Sequence, residues 1–320
     1  MKIVLLNDLL VNKEFYKNVE RDLKKLGHDF IYYLDKPKND EEIIERIKDC
    51  EILIDDNTPL SVEVLKEAKN LKYIDVAFTG VDHIPLKYCH DKKIVVSNCS
   101  GYATEAVAEL ILCCILTLAR DLKRLDSEMR EDKANINFLG SELSERVVGI
   151  IGTGKIGGRL IELLRAFNLR ILAYSRTIKK SIVQKGVTYV DLNDLLKNSD
   201  YVCLTLPLDD SSFHLIGEKE LKLMKKTACI INTARGPIID ETALINALKN
   251  NTIRGAALDV FNVEPPLDDN NELLKLNNVL LSPHIGYRTN EAMKKRAEIA
   301  LSNLYSFLEK KTKNRIIWPQ

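Results

Sequence analysis

The sequence predicts two α/β domains, each a doubly wound parallel sheet, with the second inserted into the first. Three observations lead there. Short β-branched apolar runs alternate with amphipathic segments along most of the chain, the order that builds parallel sheets. A length of 320 residues is too great for one ordinary α/β domain and suits two. The alternation breaks at a polar, aperiodic stretch, Ser127–Glu145, and restarts at Val147.

Taken in order, Lys2–Leu6 reads as a buried strand and Glu14–Leu26 as a helix ending at Gly27. Phe30–Tyr33 is a second strand. Asp40–Lys48 is a helix begun by Asp40, with acids in its first turn to suit the helix dipole. Glu51–Ile54, Tyr73–Val76 and Ile94–Ser97 are strands, and Ser61–Ala68 is a helix between the first two of them. Thr104–Leu122 is apolar almost all round and is expected to be buried, bridging two domains or lining a subunit contact. Ser127–Glu145 reads as an arm toward a partner subunit. The second unit runs through strand Val147–Ile151, a helix from Lys155 to Ala166, and strand Arg170–Tyr174. Helix Asp191–Lys197, strand Tyr201–Leu206 (stopped by Pro207), helix Leu215–Met224 and strand Ala228–Asn232 follow. Helix Glu241–Lys249 and strands Gly255–Leu258 and Val279–Leu281 complete it. The final helix, Thr289–Leu308, is expected to return to the first domain, with hinges near Asn98–Gly101 and Ser282–Tyr287. The boundaries are therefore 1–98 with 288–320 for one domain and 99–287 for the other.

Bulk properties exclude several function classes. A net charge of +1 gives no global field toward nucleic acid or a membrane surface. No apolar run reaches the length of a membrane span, and the N-terminus reads as a strand rather than a signal peptide. Cys50, Cys89, Cys99, Cys113, Cys114, Cys203 and Cys229 are odd in number and form no Cys-x-x-Cys, so buried free thiols in a reducing cytoplasm are expected. Neither the cysteines nor the five histidines have metal-ligand spacing.

The central motif is Gly152-Thr153-Gly154-Lys155-Ile156-Gly157, directly after a buried strand and opening a helix. Gly152 allows a tight turn, Gly154 a close backbone approach by a pyrophosphate, and Gly157 close packing of helix on strand. The helix N-terminus then offers unpaired N–H groups to an anion. In that context the motif reads as a dinucleotide cradle. In an open parallel sheet, ligands sit beyond the carboxyl ends of the strands. Three such ends carry residues that are poor packing material. Arg235, beside Gly236, can hold a carboxylate bidentately. Asp259 closes a strand, and Glu264 follows it before Pro265-Pro266. His284 directly follows the last strand. Together they suit hydride transfer beside a carbinol. His284 would protonate a carbonyl oxygen as hydride arrives, Glu264 would hold its tautomer, and Arg235 would bind the substrate carboxylate and polarise the carbonyl. His28, His83, His90 and His214 have no comparable setting and read as surface or turn residues.

These residues resemble the D-isomer-specific 2-hydroxyacid dehydrogenases along essentially the whole chain. The resemblance rests on Gly152–Gly157, Asn232–Gly236, Asp259–Pro266 and Ser282–Gly286, with Arg235, Glu264 and His284 in the family's order of catalytic Arg, Glu and His. It implies a Rossmann dinucleotide-binding domain inserted into a flavodoxin-like substrate domain, with substrate in the cleft between them, and a homodimer. It implies cofactor contacts at Gly152, Gly154, Lys155, Ile156, Gly157, Pro207, Thr233 and Asp259, the last meeting the nicotinamide carboxamide. Phe78-Thr79-Gly80-Val81-Asp82 is similar to the loop whose backbone N–H groups bind the substrate carboxylate, through Thr79, Gly80 and Val81. Asn98–Glu109 is similar to the segment entering the interdomain helix, with Ser100-Gly101 where the family often has Pro-Gly. Tyr287–Ala292 is similar to the glycerate dehydrogenase branch, the hydroxypyruvate and glyoxylate reductases. One departure concerns the cofactor. An NAD site needs an acid at the end of its second strand, and Ser175, Arg176 and Thr177 stand there instead. NADP is therefore favoured over NAD, with NAD retained if Arg176 only stacks on adenine. The alternative function on this fold is a dinucleotide-sensing corepressor resembling the C-terminal-binding proteins, with which the Arg–Glu–His set is shared.

Overall fold

The computed structural model describes residues 1–131, 137–264 and 266–317. The chain divides into two compact units, Met1–Ala103 with Arg288–Gln320, and Thr104–Tyr287. The middle of the expected arm, Pro265 and the last residues of the tail lie outside the described residues.

The first unit contains β1 (Lys2–Leu5), α1 (Lys13–Lys25), β2 (Asp29–Tyr32), α2 (Asp40–Ile47), β3 (Ile52–Asp55), α3 (Val62–Glu67), β4 (Tyr73–Val76), α4 (Leu86–Asp91) and β5 (Val95–Asn98). Its sheet has the order β2-β1-β3-β4-β5, all pairs parallel. This is the flavodoxin-like order, with its switch point between β1 and β3. β3 and β4 are buried along their whole length, Asp55 and Asp75 included. The C-terminal helix Asn290–Leu308 belongs to this unit, and Ile316 N donates to Val96 O on β5. α2 starts at Asp40, as the sequence suggests. Its cap is Asn39, whose side chain accepts from Glu42 N.

The second unit contains α5 (Thr104–Arg120), α6 (Leu122–Arg130), β6 (Val147–Ile151), α7 (Lys155–Leu164), β7 (Arg170–Tyr174), α8 (Lys180–Val183), β8 (Thr188–Tyr189), α9 (Leu192–Asn198), β9 (Tyr201–Leu204), α10 (Glu218–Leu223), β10 (Cys229–Asn232), α11 (Glu241–Lys249), β11 (Gly255–Leu258) and β12 (Val279–Leu281). The sheet order is β12-β11-β10-β9-β6-β7-β8, all parallel. Chain order reverses between β6 and β9, which makes the end of β6 the switch point of a Rossmann sheet.

Several expectations change here. β8 adds a seventh strand at the edge, and the α4 and α8 helices were not foreseen. Part of the supposedly irregular arm is helical, since α6 extends to Arg130. α10 is shorter than expected because Ile216 forms a parallel bridge with Ile239 before the helix begins. α5 is not buried all round: Glu105, Glu109, Cys113, Leu116 and Arg120 form an exposed stripe at helical spacing. The other six cysteines are buried and unpaired. Among the described residues, no helix is long and apolar enough to cross a membrane.

Candidate active site

The glycine turn is built for an anion. β6 is a buried strand, and Gly152 leaves it at φ +98°, where a Cβ would lie 2.7 Å from Thr205 O. The chain turns back so tightly that a Cβ on Gly157 would meet Gly152 O at 2.1 Å. Gly154 caps α7 without a side-chain hydrogen bond, a Cβ there would meet nothing within 4 Å, and the first turn of α7 holds no acid. The positive end of the helix dipole thus faces open space. The turn is braced from outside. Thr205 Oγ1 donates to Gly152 O (2.6 Å), Lys179 Nζ donates to Thr153 O (2.6 Å), and Tyr189 OH donates to Thr153 Oγ1 (2.9 Å). The sequence motif gave no hint of these braces, which come from three later segments.

Ser175, Arg176 and Thr177 follow β7, next to the turn, and Gly152 N donates to Tyr174 O (2.8 Å). The Arg176 side chain is 72% exposed, with Nη1 3.2 Å from Asp209 Oδ2. The Ser211 hydroxyl first, and then the Arg176 charge, hold the Asp209 carboxyl below the usual range. An acid therefore does reach this strand end, from the segment after β9 rather than from β7 itself.

Pro207, Thr233, Asp259 and His284 follow β9, β10, β11 and β12 in turn, along the same carboxyl edge. Pro207 O accepts from Ser212 Oγ (2.8 Å). Beyond β10, Asn232 folds the Arg235 segment by accepting from Ala234 N (3.0 Å) and donating to Arg235 O (2.8 Å). Arg235 Nη1 donates to Ala234 O (2.8 Å). A Cβ on Gly236 would lie 2.1 Å from Phe261 O, so this segment presses directly on the backbone after β11.

Asp259 is 2% exposed and serves the turn that carries His284. Its Oδ1 accepts from Ser282 Oγ (2.6 Å) and Ile285 N (2.9 Å), and its Oδ2 accepts from Gly286 N (2.8 Å). Inside that turn His284 has φ +52°, in the left-handed region that few non-glycine residues adopt. His284 Nδ1 lies 2.9 Å from Glu264 Oε2, and the Tyr287 ring meets the imidazole edge-on at 5.6 Å between centroids. Arg235, Glu264 and His284 thus belong to three neighbouring strand ends, β10, β11 and β12. In the first unit, Thr79, Gly80 and Val81 follow β4. Among the described residues their N–H groups have no hydrogen-bond partner. His83, read from sequence as an ordinary turn residue, has Nε2 3.3 Å from Asp55 Oδ2 and is only 12% exposed.

The family model for "D-isomer specific 2-hydroxyacid dehydrogenase, NAD binding domain" matches residues 112–286. The chain belongs to this family. It is an enzyme, a dehydrogenase that transfers a hydride between a nicotinamide cofactor and a small 2-oxo or D-2-hydroxy acid. A glyoxylate reductase of Korarchaeum cryptofilum is 37% identical over 300 residues, covering 90% of each chain. Among solved structures, an acyclic imino acid reductase in complex with NADPH and D-Arg has a TM-score of 0.89 at 32% identity, covering 99% of this chain and 100% of its own. The D-lactate dehydrogenase of Aquifex aeolicus, complexed with NAD and lactic acid, has a TM-score of 0.87 at 30% identity, with 100% of both chains covered.

The dehydrogenase's own residues fit a dinucleotide. The open space over Gly154 and the uncapped start of α7 leave room for a pyrophosphate. Along the same strand ends, Thr233 Oγ1 is buried without a partner among the described residues, a polar atom that a ribose or amide can satisfy. Asp259 fits the cofactor less fully than the resemblance implies. Three of its acceptor positions are spent on the His284 turn, leaving the remaining capacity of Oδ2 for a carboxamide.

Proposed function

We propose that this dehydrogenase reduces a small 2-oxo acid, with glyoxylate and hydroxypyruvate the first substrates to try, and that it uses NADPH in preference to NADH. The observation that carries this reading is the His284–Glu264 contact on the strand-end edge that also carries the glycine turn. When bound, the nicotinamide supplies the hydride. Glu264 accepts from Nδ1–H of His284, fixes the tautomer and steadies the imidazolium. His284, through Nε2, delivers a proton to the carbonyl oxygen of the substrate. Arg235 holds the carboxylate and draws charge onto the carbonyl oxygen. The N–H groups of Thr79, Gly80 and Val81 meet the carboxylate as well. Gly152, Gly154, Lys155, Ile156 and Gly157 cradle the pyrophosphate, and Pro207, Thr233 and Asp259 face the nicotinamide end. The glyoxylate reductase of K. cryptofilum supports the substrate class, and the enzymes among the relatives weigh against the corepressor alternative. A panel of 2-oxo acids against NADH and NADPH, read at the reduced nicotinamide absorbance band, tests the reading. Turnover of no 2-oxo acid with either cofactor would overturn it.

The cofactor preference rests on Ser175, Arg176 and Thr177, with Arg176 leaving Asp209 to pair with a 2′-phosphate. Ser175→Asp places a carboxylate where ribose hydroxyls, but not a phosphate, are tolerated. It is expected to shift the NADPH-to-NADH ratio of kcat/KM toward NADH by roughly 10-fold or more, about 1.4 kcal/mol of discrimination. A wild-type enzyme that already prefers NADH would refute the assignment.

We also infer a homodimer in the cytoplasm. Buried free thiols support the compartment. Leu116, Leu122, Met129 and Leu139 are exposed on and after α5 and α6, and Leu139 is 90% exposed. Apolar side chains gathered on one stretch favour a subunit contact. Light scattering after gel filtration should give about twice the 36.3 kDa chain mass. A single species at the chain mass would exclude the dimer.

A further inference from the structure

The loop assigned to the substrate carboxylate is held by a buried amide. Asn98 ends β5, is 8% exposed, and pairs in register with Val76 at the end of β4. Its Nδ2 donates to Thr79 O at 2.7 Å. One residue on, Cys99 N donates to Phe78 O (2.9 Å). At the far end of the loop, Ile84 N donates to Val81 O (3.1 Å) and Leu60 N donates to His83 O (3.0 Å). Asn98 is itself fixed on the opposite side. Asn303 Nδ2, on the C-terminal helix and fully buried, donates to Asn98 O (3.1 Å) and to Asp75 Oδ1 (3.0 Å). Asn314 Nδ2 donates to Asn303 Oδ1 (2.8 Å), and Asn98 N donates to Asn314 O (3.2 Å). Burial pushes the Asp75 carboxyl well above its usual range.

The geometry of one peptide plane gives the network its consequence. The carbonyl of Thr79 and the N–H of Gly80 belong to the same trans peptide and point in opposite directions. A donor that pins Thr79 O toward Asn98 therefore aims the Gly80 N–H away from Asn98. We propose that Asn98 is a positioning residue of this enzyme: its side-chain amide orients the Thr79–Gly80 peptide so that the loop presents its N–H groups to the substrate carboxylate. This rests on the reading that the loop binds that carboxylate.

Asn98→Asp keeps the volume but replaces the donor with an acceptor that repels Thr79 O, and Asn98→Ser leaves a group too short to reach it. Each variant is expected to raise KM for glyoxylate roughly 10-fold, the factor one lost hydrogen bond produces. KM for NADPH should stay within about 2-fold, because the residues assigned to the dinucleotide lie in the other unit, and kcat should fall less than KM rises. A merely structural role would lower Tm and the active fraction while leaving KM for glyoxylate unchanged, and that outcome in both variants overturns the proposal. The milder Ser variant carries the same expectation if the Asp variant does not fold. Gly80→Pro removes the N–H itself and separates the two readings. If Gly80→Pro raises KM while both Asn98 variants leave it unchanged, the positioning role fails alone. If Gly80→Pro leaves KM unchanged, the carboxylate reading fails, and Asn98 loses its role with it.

Discussion

His284→Ala is expected to lower kcat by about three orders of magnitude, within the range that a positioned general acid supplies, which is about 4 kcal/mol of barrier. The dissociation constant for NADPH, read by quenching of protein fluorescence, should change little. The expectation follows from how much structure is devoted to one imidazole. Its backbone is held in a left-handed conformation by Asp259, which takes three donors from Ser282, Ile285 and Gly286. Its Nδ1 is held by Glu264. Without the ring, the carbonyl oxygen must take its proton from water in a site shaped for another donor. Near-normal turnover in this variant would remove His284 from the chemistry.

Arg235→Ala should cost both affinity and rate, with kcat/KM for glyoxylate falling roughly 10³-fold. Truncating one side of a hydrogen-bonded charge pair costs about 2–5 kcal/mol, partly because the other charge is left unpaired. Part of the loss should appear in KM, since the carboxylate loses its counter-charge, and part in kcat, since the carbonyl loses its polarising neighbour. Arg235→Lys should recover only a fraction, because an ammonium has no planar fork to match a carboxylate. The Asn232 side chain, which accepts from Ala234 N and donates to Arg235 O, is untouched by the substitution and keeps the backbone around position 235 in place, so the variant should fold. An unchanged KM in Arg235→Ala would argue against carboxylate binding.

Much of this was readable from residue order because the strands of a parallel sheet are short, mostly apolar runs. Tyr73–Val76, Arg170–Tyr174, Gly255–Leu258 and Val279–Leu281 lie where their composition puts them. Elements that bury little were not readable. α6 has no buried residue, and β8 is an edge strand of two residues. The carboxyl-edge placement of Arg235, Glu264 and His284 was legible because chemistry collects at strand ends. Their supports were not, since the partners are distant in sequence. Ser282 and Gly286 reach Asp259 across more than 20 positions, and Asp209 reaches Arg176 from beyond another strand. A pattern read along one chain records local periodicity and not which loops converge.

The first unit is assembled from both ends of the chain. Arg296, fully buried, pairs with Asp56, and Asn303 bonds Asp75 and Asn98. On the ribosome, these partners are separated by the synthesis of the entire second unit. The strands made first must wait, with β4 and β5 lacking their C-terminal helix, until the last turns of that helix emerge. The usual order, in which the N-terminal domain folds first during synthesis, therefore cannot bring these contacts into place. The inserted unit has all its own residues before Arg296 and Asn303 are made, while the earlier-made half must wait for them.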